Sequence, residues 1–275
     1  MDTEFGDLDE TLLVAESAAR EAGALLMSYF GKLDAERLER KSSARDLVTE
    51  ADLASERVLV STLRERFPGH AIEAEEEVRD APDDARPRWF LDPLDGTTNF
   101  VHQLPAFCVS LGLVAPSGVP LVGVVHAPLL GETFVARRGG GAWCLGPGDR
   151  RVRLAISRTT SLSEAVVATG FPYRRNELVN NNFTNLKNVF LEVRGLRRFG
   201  AAALDLAWVA AGRLDAYWEQ HVAPHDVAAG ALLVREAGGV VEDLDGGDHW
   251  LRAGHLVASN RALVDALQER VSTAG

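Results

Sequence analysis

Apolar residues recur at alternating steps of three and four from Leu8 through Leu12, Ala15, Ala19, Ala22 and Leu26 to Phe30. That spacing returns side chains to one face of a helix, and Gly31 predicts its end. A second helix is expected from about Thr49 to Phe67, with Leu59, Leu63 and Phe67 on its apolar face and Pro68-Gly69 as the stop. Glu73 to Arg88 is charged and contains prolines, so it reads as loop. Trp89-Phe90-Leu91 is a short apolar strand running straight into Asp92.

Beyond it the period changes to two. Phe107 to Val114 alternates, Leu121 to His126 and Thr133 to Ala136 follow, and Ala142 to Leu145 returns after the Gly139-Gly140-Gly141 turn. Gly146-Pro147-Gly148 marks an expected boundary, dividing the chain into residues 1–148 and 149–275. In the second part strands and helices alternate. Strands are expected at Val166 to Thr169, Asp215 to Trp218, Val240-Val241 and His255 to Ala258. Helices are expected at Leu178 to Val193, Ala202 to Ala211, Asp226 to Ala237 and Arg261 to Arg270. The pattern predicts an α/β protein whose first half is α+β, with helices lying on an antiparallel sheet.

Composition narrows the function classes. The 275 residues carry a formal charge of −11, which disfavours a broad basic surface for nucleic acid. The acidic, polar N-terminus lacks the regions of a signal peptide, and the longest apolar runs are about half a membrane span. The expectation is a cytoplasmic protein. The two cysteines, Cys108 and Cys144, lie in apolar strand-like segments and read as packed, reduced thiols.

The candidate chemistry sits at Asp92-Pro93-Leu94-Asp95-Gly96-Thr97. Pro93 is expected to turn the chain out of the sheet after Asp92. Two carboxylates then stand three residues apart, and Gly96-Thr97 permits a tight turn into a short helix whose free N–H groups suit an anion. Carboxylates this close repel unless one is protonated or cations bridge them. With oxygen donors and no Cys or His cluster, Mg²⁺ or Mn²⁺ fits better than Zn²⁺. Ordinary readings stand beside these. Asp95-Gly96 alone is a common turn, Asp52 could close a capping box with Thr49, and Asp226 could simply cap its helix. Glu75 lies in a charged run of the kind that usually faces solvent.

The chain resembles the inositol monophosphatase family along nearly its whole length. Asp46 to Asp52, Glu75-Glu76 after Phe67-Pro68-Gly69-His70, Asp92 to His102, Gly200 to Glu219 and Pro224 to Gly230 match its blocks in order. The resemblance implies a layered α-β-α-β-α sandwich with an antiparallel first sheet and a mixed second sheet. It also implies a lithium-sensitive phosphatase using two or three Mg²⁺ ions. It assigns Glu75, Asp92 and the Leu94 carbonyl to one metal and Asp92, Asp95 and Asp226 to a second. Asp52 and Thr97 would activate the attacking water, and Glu75 would assist through a weaker third ion. Gly96 and Thr97 would hold phosphate, and Asp95, Glu219 and the backbone near Ala202 would meet substrate hydroxyls. The choice of Glu75 over Glu76 rests on the resemblance alone. Lys41 also matches a lysine near the family's site.

Three positions depart from the pattern: His225 where tryptophan is usual, Ala74 for glycine and Ala201 for Ser or Thr. Histidine at 225 would bring a group that titrates near neutrality to the pocket wall. Thr98-Asn99-Phe100 follows the Gly-Thr pair as in inositol monophosphatases, so inositol 1-phosphate is the expected substrate. Histidinol phosphate and fructose 1,6-bisphosphate are the alternatives. Expected partners are the small phosphorylated polyol and a second copy of the chain, without direct nucleic acid or membrane binding. Some bacterial relatives act with the transcription machinery, which is the competing, non-enzymatic reading.

Overall fold

Asp7 opens the first helix by accepting hydrogen bonds from the N–H groups of Asp9 (2.9 Å) and Glu10 (3.2 Å). In the computed structural model, which describes residues 6–32, 39–40, 47–48, 50–82, 85–148 and 150–273, this helix is α1 (Leu8–Tyr29). A two-stranded pair, β1 (Glu39–Arg40) and β2 (Leu47–Val48), precedes α2 (Glu50–Arg66). Both predicted N-terminal helices are therefore present. Lys41, Asp46 and Thr49 lie outside the described residues.

Seven strands in chain order build the first sheet: β3 (Ala71–Ala74), β4 (Arg88–Asp95), β5 (Cys108–Val114), β6 (Pro120–Ala127), β7 (Glu132–Arg137), β8 (Gly141–Leu145) and β9 (Arg151–Arg153). Neighbours are antiparallel except β3 and β4, which run parallel, so the first sheet is mixed at this edge and not wholly antiparallel as the resemblance implied. The short helix α3 (Thr97–Val101) joins β4 to β5. The second sheet contains β10 (Val166–Thr169), β11 (Gly195–Arg197), β12 (Ala216–Gln220), β13 (Val240–Glu242) and β14 (His255–Ser259). Its spatial order is β11-β10-β12-β14-β13, with parallel and antiparallel pairs. Helices α4 (Phe183–Phe190), α5 (Ala202–Ala210), α6 (Pro224–Glu236), α7 (Trp250–Ala253) and α8 (Arg261–Gln268) complete the described elements.

Hydrophobic packing between successive elements builds five layers. Ala15, Ala19 and Leu26 of α1, with Leu59 and Leu63 of α2, pack on Leu111 and Val124 of the first sheet. The opposite face of that sheet meets α5 and α6 through Val125, Phe134, Leu206 and Ala229. Those helices also cover the second sheet, whose far face packs Val167, Trp218 and Val257 against Val189 of α4 and Leu263 and Leu267 of α8. The order is α-β-α-β-α, as the resemblance implied.

Four further expectations change. The predicted loop from Glu73 to Arg88 begins inside β3, where Ala71, Ile72 and Ala74 are buried. Pairing with Trp89 to Leu91 overrides the local charge, and Arg88 stands 3.8 Å from Glu73. Second, β4 does not end at Asp92. It continues through Pro93 to Asp95, and the ladder to β5 is irregular between these aspartates. A residue without an N–H is tolerated at such an irregularity. Third, only Phe183–Phe190 of the predicted Leu178–Val193 helix forms. Asn181 Oδ1 accepts from the Phe183 N–H at 3.2 Å and Asn182 adopts φ 70°, so the asparagine run opens the helix late. Fourth, the first sheet does not stop at Gly148, because β9 pairs with β8 beyond it.

Candidate active site

The irregular end of β4 gathers the motif. The Leu94 N–H donates to Asp92 Oδ1 at 3.0 Å, folding the carboxylate back onto its own strand. Gly96 has φ 91°, and a Cβ there would lie 2.7 Å from the Ala106 carbonyl. Only glycine makes this turn without strain. Thr97 then opens α3, its hydroxyl 3.2 Å from Asp52 Oδ1 and 3.1 Å from the Leu94 carbonyl. Asn99 donates to the carbonyls of Ala106 (2.6 Å) and Phe199 (2.8 Å), tying the turn to the segment before α5.

One face of α2 holds three parts of this site. Asp52, Ser55 and Glu56 recur at steps of three and four and are all buried. Asp52 meets Thr97 rather than serving only its own helix start. Ser55 donates to the Pro93 carbonyl at 2.9 Å. Glu56 accepts from the N–H groups of Glu76 (2.8 Å), Glu77 (2.9 Å) and Val78 (2.9 Å), fixing the loop that carries Glu75. Sequence reasoning missed Ser55 and Glu56. Their helical spacing from Asp52 was the available signal.

Helix α6 brings Asp226. It lies close against the first sheet because Gly112 and Gly123 leave room. A Cβ on either would come within 2.7 Å of Ala228 or Ala229. Asp226 is the third residue of α6 and not its N-cap, because the helix opens at Pro224 after Ala223; its Oδ2 accepts from the Ala223 N–H at 2.6 Å, while Oδ1 stands 3.6 Å from His225 Nε2. His225 and Asp226 line the same cleft, which places the unusual histidine at the metal-type half of the site. Ala201 provides no side-chain cap for α5, and Asp95 Oδ2 accepts from the Ala203 N–H at 2.8 Å from across the site. The buried Cys108 thiol lies 3.7 Å from the same oxygen. Ala74 is buried at the end of β3 and donates to the Val78 carbonyl at 2.7 Å.

Two adjoining clefts result. One, of about 300 Å³, is walled by Glu75, Asp92, Asp95, Asp226, Leu94 and Thr97, with Arg79 at its edge. The other, of about 440 Å³, is walled by Asp95, Asp205, Glu219, Asp226, Arg198 and Ala202 among others. Tyr173 and His221 line both, and neither was singled out as a site residue from the sequence. Asp95 and Asp226 face both spaces. Each described residue assigned a role at the site lines one of these clefts except Asp52, which stands behind Thr97.

The electrostatics fit a cation. Burial pushes the Asp92 carboxyl well above the usual carboxylate range, and Glu75, Asp95 and Asp226 push it further. Asp95 rises from 3.8 to about 8, through burial and then Asp226, although the Ala203 N–H pulls it down. Burial also lifts Glu219 to about 7, against the hydrogen bond from Tyr217. Two like charges 4 Å apart at a protein surface repel by about 4 kcal/mol, more than exposed ion pairs return. The carboxylates of the smaller cleft must hold protons or share cations. Among the described residues no group of three or more His, Cys, Asp or Glu side chains is placed as it stands to hold a metal ion. The donors instead line an open cleft, and all are oxygen, which suits a hard divalent ion that keeps waters.

The sequence profile described as the inositol monophosphatase family matches residues 7–274. A Pseudomonas aeruginosa protein named Nus factor SuhB is 43% identical over 260 residues, covering 93% of each chain. An inositol-1-monophosphatase of Synechocystis is 40% identical, covering 97% of this chain and 90% of its own. Among solved structures, an inositol monophosphatase from Anabaena superposes with a TM-score of 0.83 at 40% identity, covering 96% of this chain and 95% of that one. The chain belongs to the inositol monophosphatase family, whose members are generally metal-dependent, and is a phosphatase.

Proposed function

We propose that this phosphatase hydrolyses small polyol phosphates, inositol 1-phosphate foremost, with Mg²⁺ as its cofactor. The carrying observation is the adjacency of the two clefts, which share Asp95 and Asp226. One is a carboxylate-lined cleft fit for cations. The other is a larger space with polar and apolar walls, fit for an alcohol. Glu75, Asp92, the Leu94 carbonyl, Asp95 and Asp226 would hold the ions. Divalent ions bound there supply an acidified water and neutralise charge on the leaving oxygen.

The chain's own groups do the rest. Thr97 donates its hydroxyl to Asp52 and keeps an oxygen lone pair for the attacking water, so the water's proton passes to Thr97 Oγ1 as the Thr97 hydroxyl proton passes to the Asp52 carboxylate. Glu75 stands on the side of the same cleft and helps orient that water. The Gly96 and Thr97 N–H groups, at the start of α3, hold phosphate oxygens. Asp95, Glu219 and the backbone at Ala202 face the second cleft and receive the alcohol. Positioning and charge neutralisation account for the catalysis without a covalent intermediate.

The test is phosphate release from inositol 1-phosphate, histidinol phosphate, fructose 1,6-bisphosphate and adenosine bisphosphate, with Mg²⁺ or with EDTA. Inositol 1-phosphate is expected to be hydrolysed fastest, only with Mg²⁺, and with inhibition by Li⁺. Full activity in EDTA, or no release from any substrate, would sink the reading.

A second reading concerns partners. The similarity to a protein named Nus factor SuhB supports a role with the transcription machinery, made through protein contacts. Val179, Phe183, Phe190 and Leu191 are exposed on α4 and beside it, which supports a protein-contact face, first for a second copy of the chain. Sedimentation as a strict monomer would remove the homodimer. Among the described residues no helix is long and apolar enough to cross a membrane.

A further inference from the structure

Glu219 is proposed above to meet substrate hydroxyls, and its surroundings carry an inference that rests on that reading. Tyr217 and Glu219 are two residues apart on β12, so they point to the same face of the second sheet. Tyr217 is fully buried, and its hydroxyl donates to Glu219 Oε2. On the neighbouring parallel strand β10, Thr169 pairs with Trp218, which sets Gly170 alongside Glu219. A Cβ on Gly170 would lie 2.1–2.2 Å from the Glu219 carboxyl atoms, so the missing side chain is the space the carboxylate occupies.

The backbone of this seat is itself fixed. Asn182, fully buried at φ 70°, donates to the Gly170 carbonyl (2.7 Å) and the Thr169 hydroxyl (2.8 Å). Its Oδ1 accepts from the Trp218 indole N–H at 2.8 Å, and Thr169 Oγ1 donates to the Trp218 carbonyl at 2.7 Å. Both strands around Glu219 are thereby locked by side-chain hydrogen bonds. Gly170 and Thr169 line the larger cleft with Glu219, so the seat borders the space where an alcohol would lie.

We propose that Tyr217 is a positioning residue for substrate selection. Its hydroxyl and the gap at Gly170 hold the Glu219 carboxylate in the one orientation that accepts a polyol hydroxyl, and so favour hydroxyl-bearing phosphomonoesters. A carboxylate held by a charge-assisted hydrogen bond loses less rotational freedom on binding than a mobile one. The selection therefore appears in substrate affinity and leaves the phosphoryl chemistry of the other cleft alone.

The experiment compares KM and kcat of wild type, Tyr217→Phe, Glu219→Gln and the double variant. The substrates are inositol 1-phosphate and 4-nitrophenyl phosphate, whose leaving group has no further hydroxyl. Tyr217→Phe is expected to raise KM for inositol 1-phosphate by about tenfold, the loss of one charge-assisted hydrogen bond. Its kcat, and both constants for 4-nitrophenyl phosphate, should change less than about twofold. The double variant should match Glu219→Gln alone, since both act through one carboxylate. If Tyr217→Phe does not fold, Gly170→Ala, which intrudes on the same carboxylate, must give the same selective rise. If Glu219→Gln leaves inositol KM unchanged, the reading of Glu219 itself falls and takes this proposal with it. If Glu219→Gln raises that KM while Tyr217→Phe does not, or shifts both substrates alike, only the positioning proposal is overturned.

Discussion

The Glu56 carboxylate stands 2.9 Å from the backbone nitrogen of Val78, across from a different element, and accepts from Glu76 and Glu77 as well. A residue buried on α2 therefore shapes the loop bearing Glu75. Replacing it by Gln puts amide hydrogens against backbone donors. Glu56→Gln is expected to cost about 2–4 kcal/mol of stability, measured by urea unfolding. The variant is also expected to need more Mg²⁺ for half-maximal activity. Unchanged unfolding would mean that the loop does not depend on this carboxylate.

Asp92 separates stability from function. Asp92→Asn should abolish phosphate release from inositol 1-phosphate yet leave the metal-free protein at least as stable as wild type, because burial already disfavours the charged form. Saturating Mg²⁺ at about 100 times its Kd would add about 2.7 kcal/mol to wild type by linkage. The variant should gain much less. Thermal unfolding with and without Mg²⁺ makes the comparison.

The raised Asp95 carboxyl sets a pH dependence for the metal-free protein. Its folded-state pKa of about 8 lies above the ordinary 3.8, so between these values the native state binds the extra proton. Stability contributed by the protonated form is present below about pH 4 and is lost as pH rises toward 8. In EDTA, the melting temperature should fall across that window. Added Mg²⁺ should flatten the slope, since a cation replaces the proton. A rising melting temperature in EDTA over the same range would contradict this account.

At Gly96 the backbone is the determinant. Gly96→Ala must place a side chain at φ 91° and within 2.7 Å of the Ala106 carbonyl. The left-handed conformation alone costs about 1–2 kcal/mol. Displacement of Thr97 by a fraction of an ångström should lower kcat by at least about tenfold, read by phosphate release. A chemical unfolding curve checks the stability loss in parallel.

Several elements were legible because their signal is local. The three-four spacing of α1 and the period-two runs of β5 to β8 appear where expected. The β3 strand was hidden because its charged neighbours outweigh four residues, and only pairing with β4 makes it a strand. Asn180 to Asn182 concealed the late start of α4, since asparagine side chains compete with helical hydrogen bonds. At the site, Asp92, Asp95 and Thr97 could be read from one string. Ser55 and Glu56 showed only a helical spacing from Asp52, and Tyr173 and Tyr217 not even that, because their importance lies in what they touch.

The sequence by itself determined the Asp92 to Thr97 motif, which is residue types at short spacing, and the resemblance to a phosphatase family, which is carried by blocks matched in order along nearly the whole chain. Only the tertiary structure decided what that motif faces. The close approach at Gly112 and Gly123 carries α6 and Asp226 to it, α2 sets Asp52 behind Thr97, and Gly170 makes room for Glu219. The reason is physical: burial and cross-chain contact set a carboxylate's charge and direction, and both depend on residues far away in the chain.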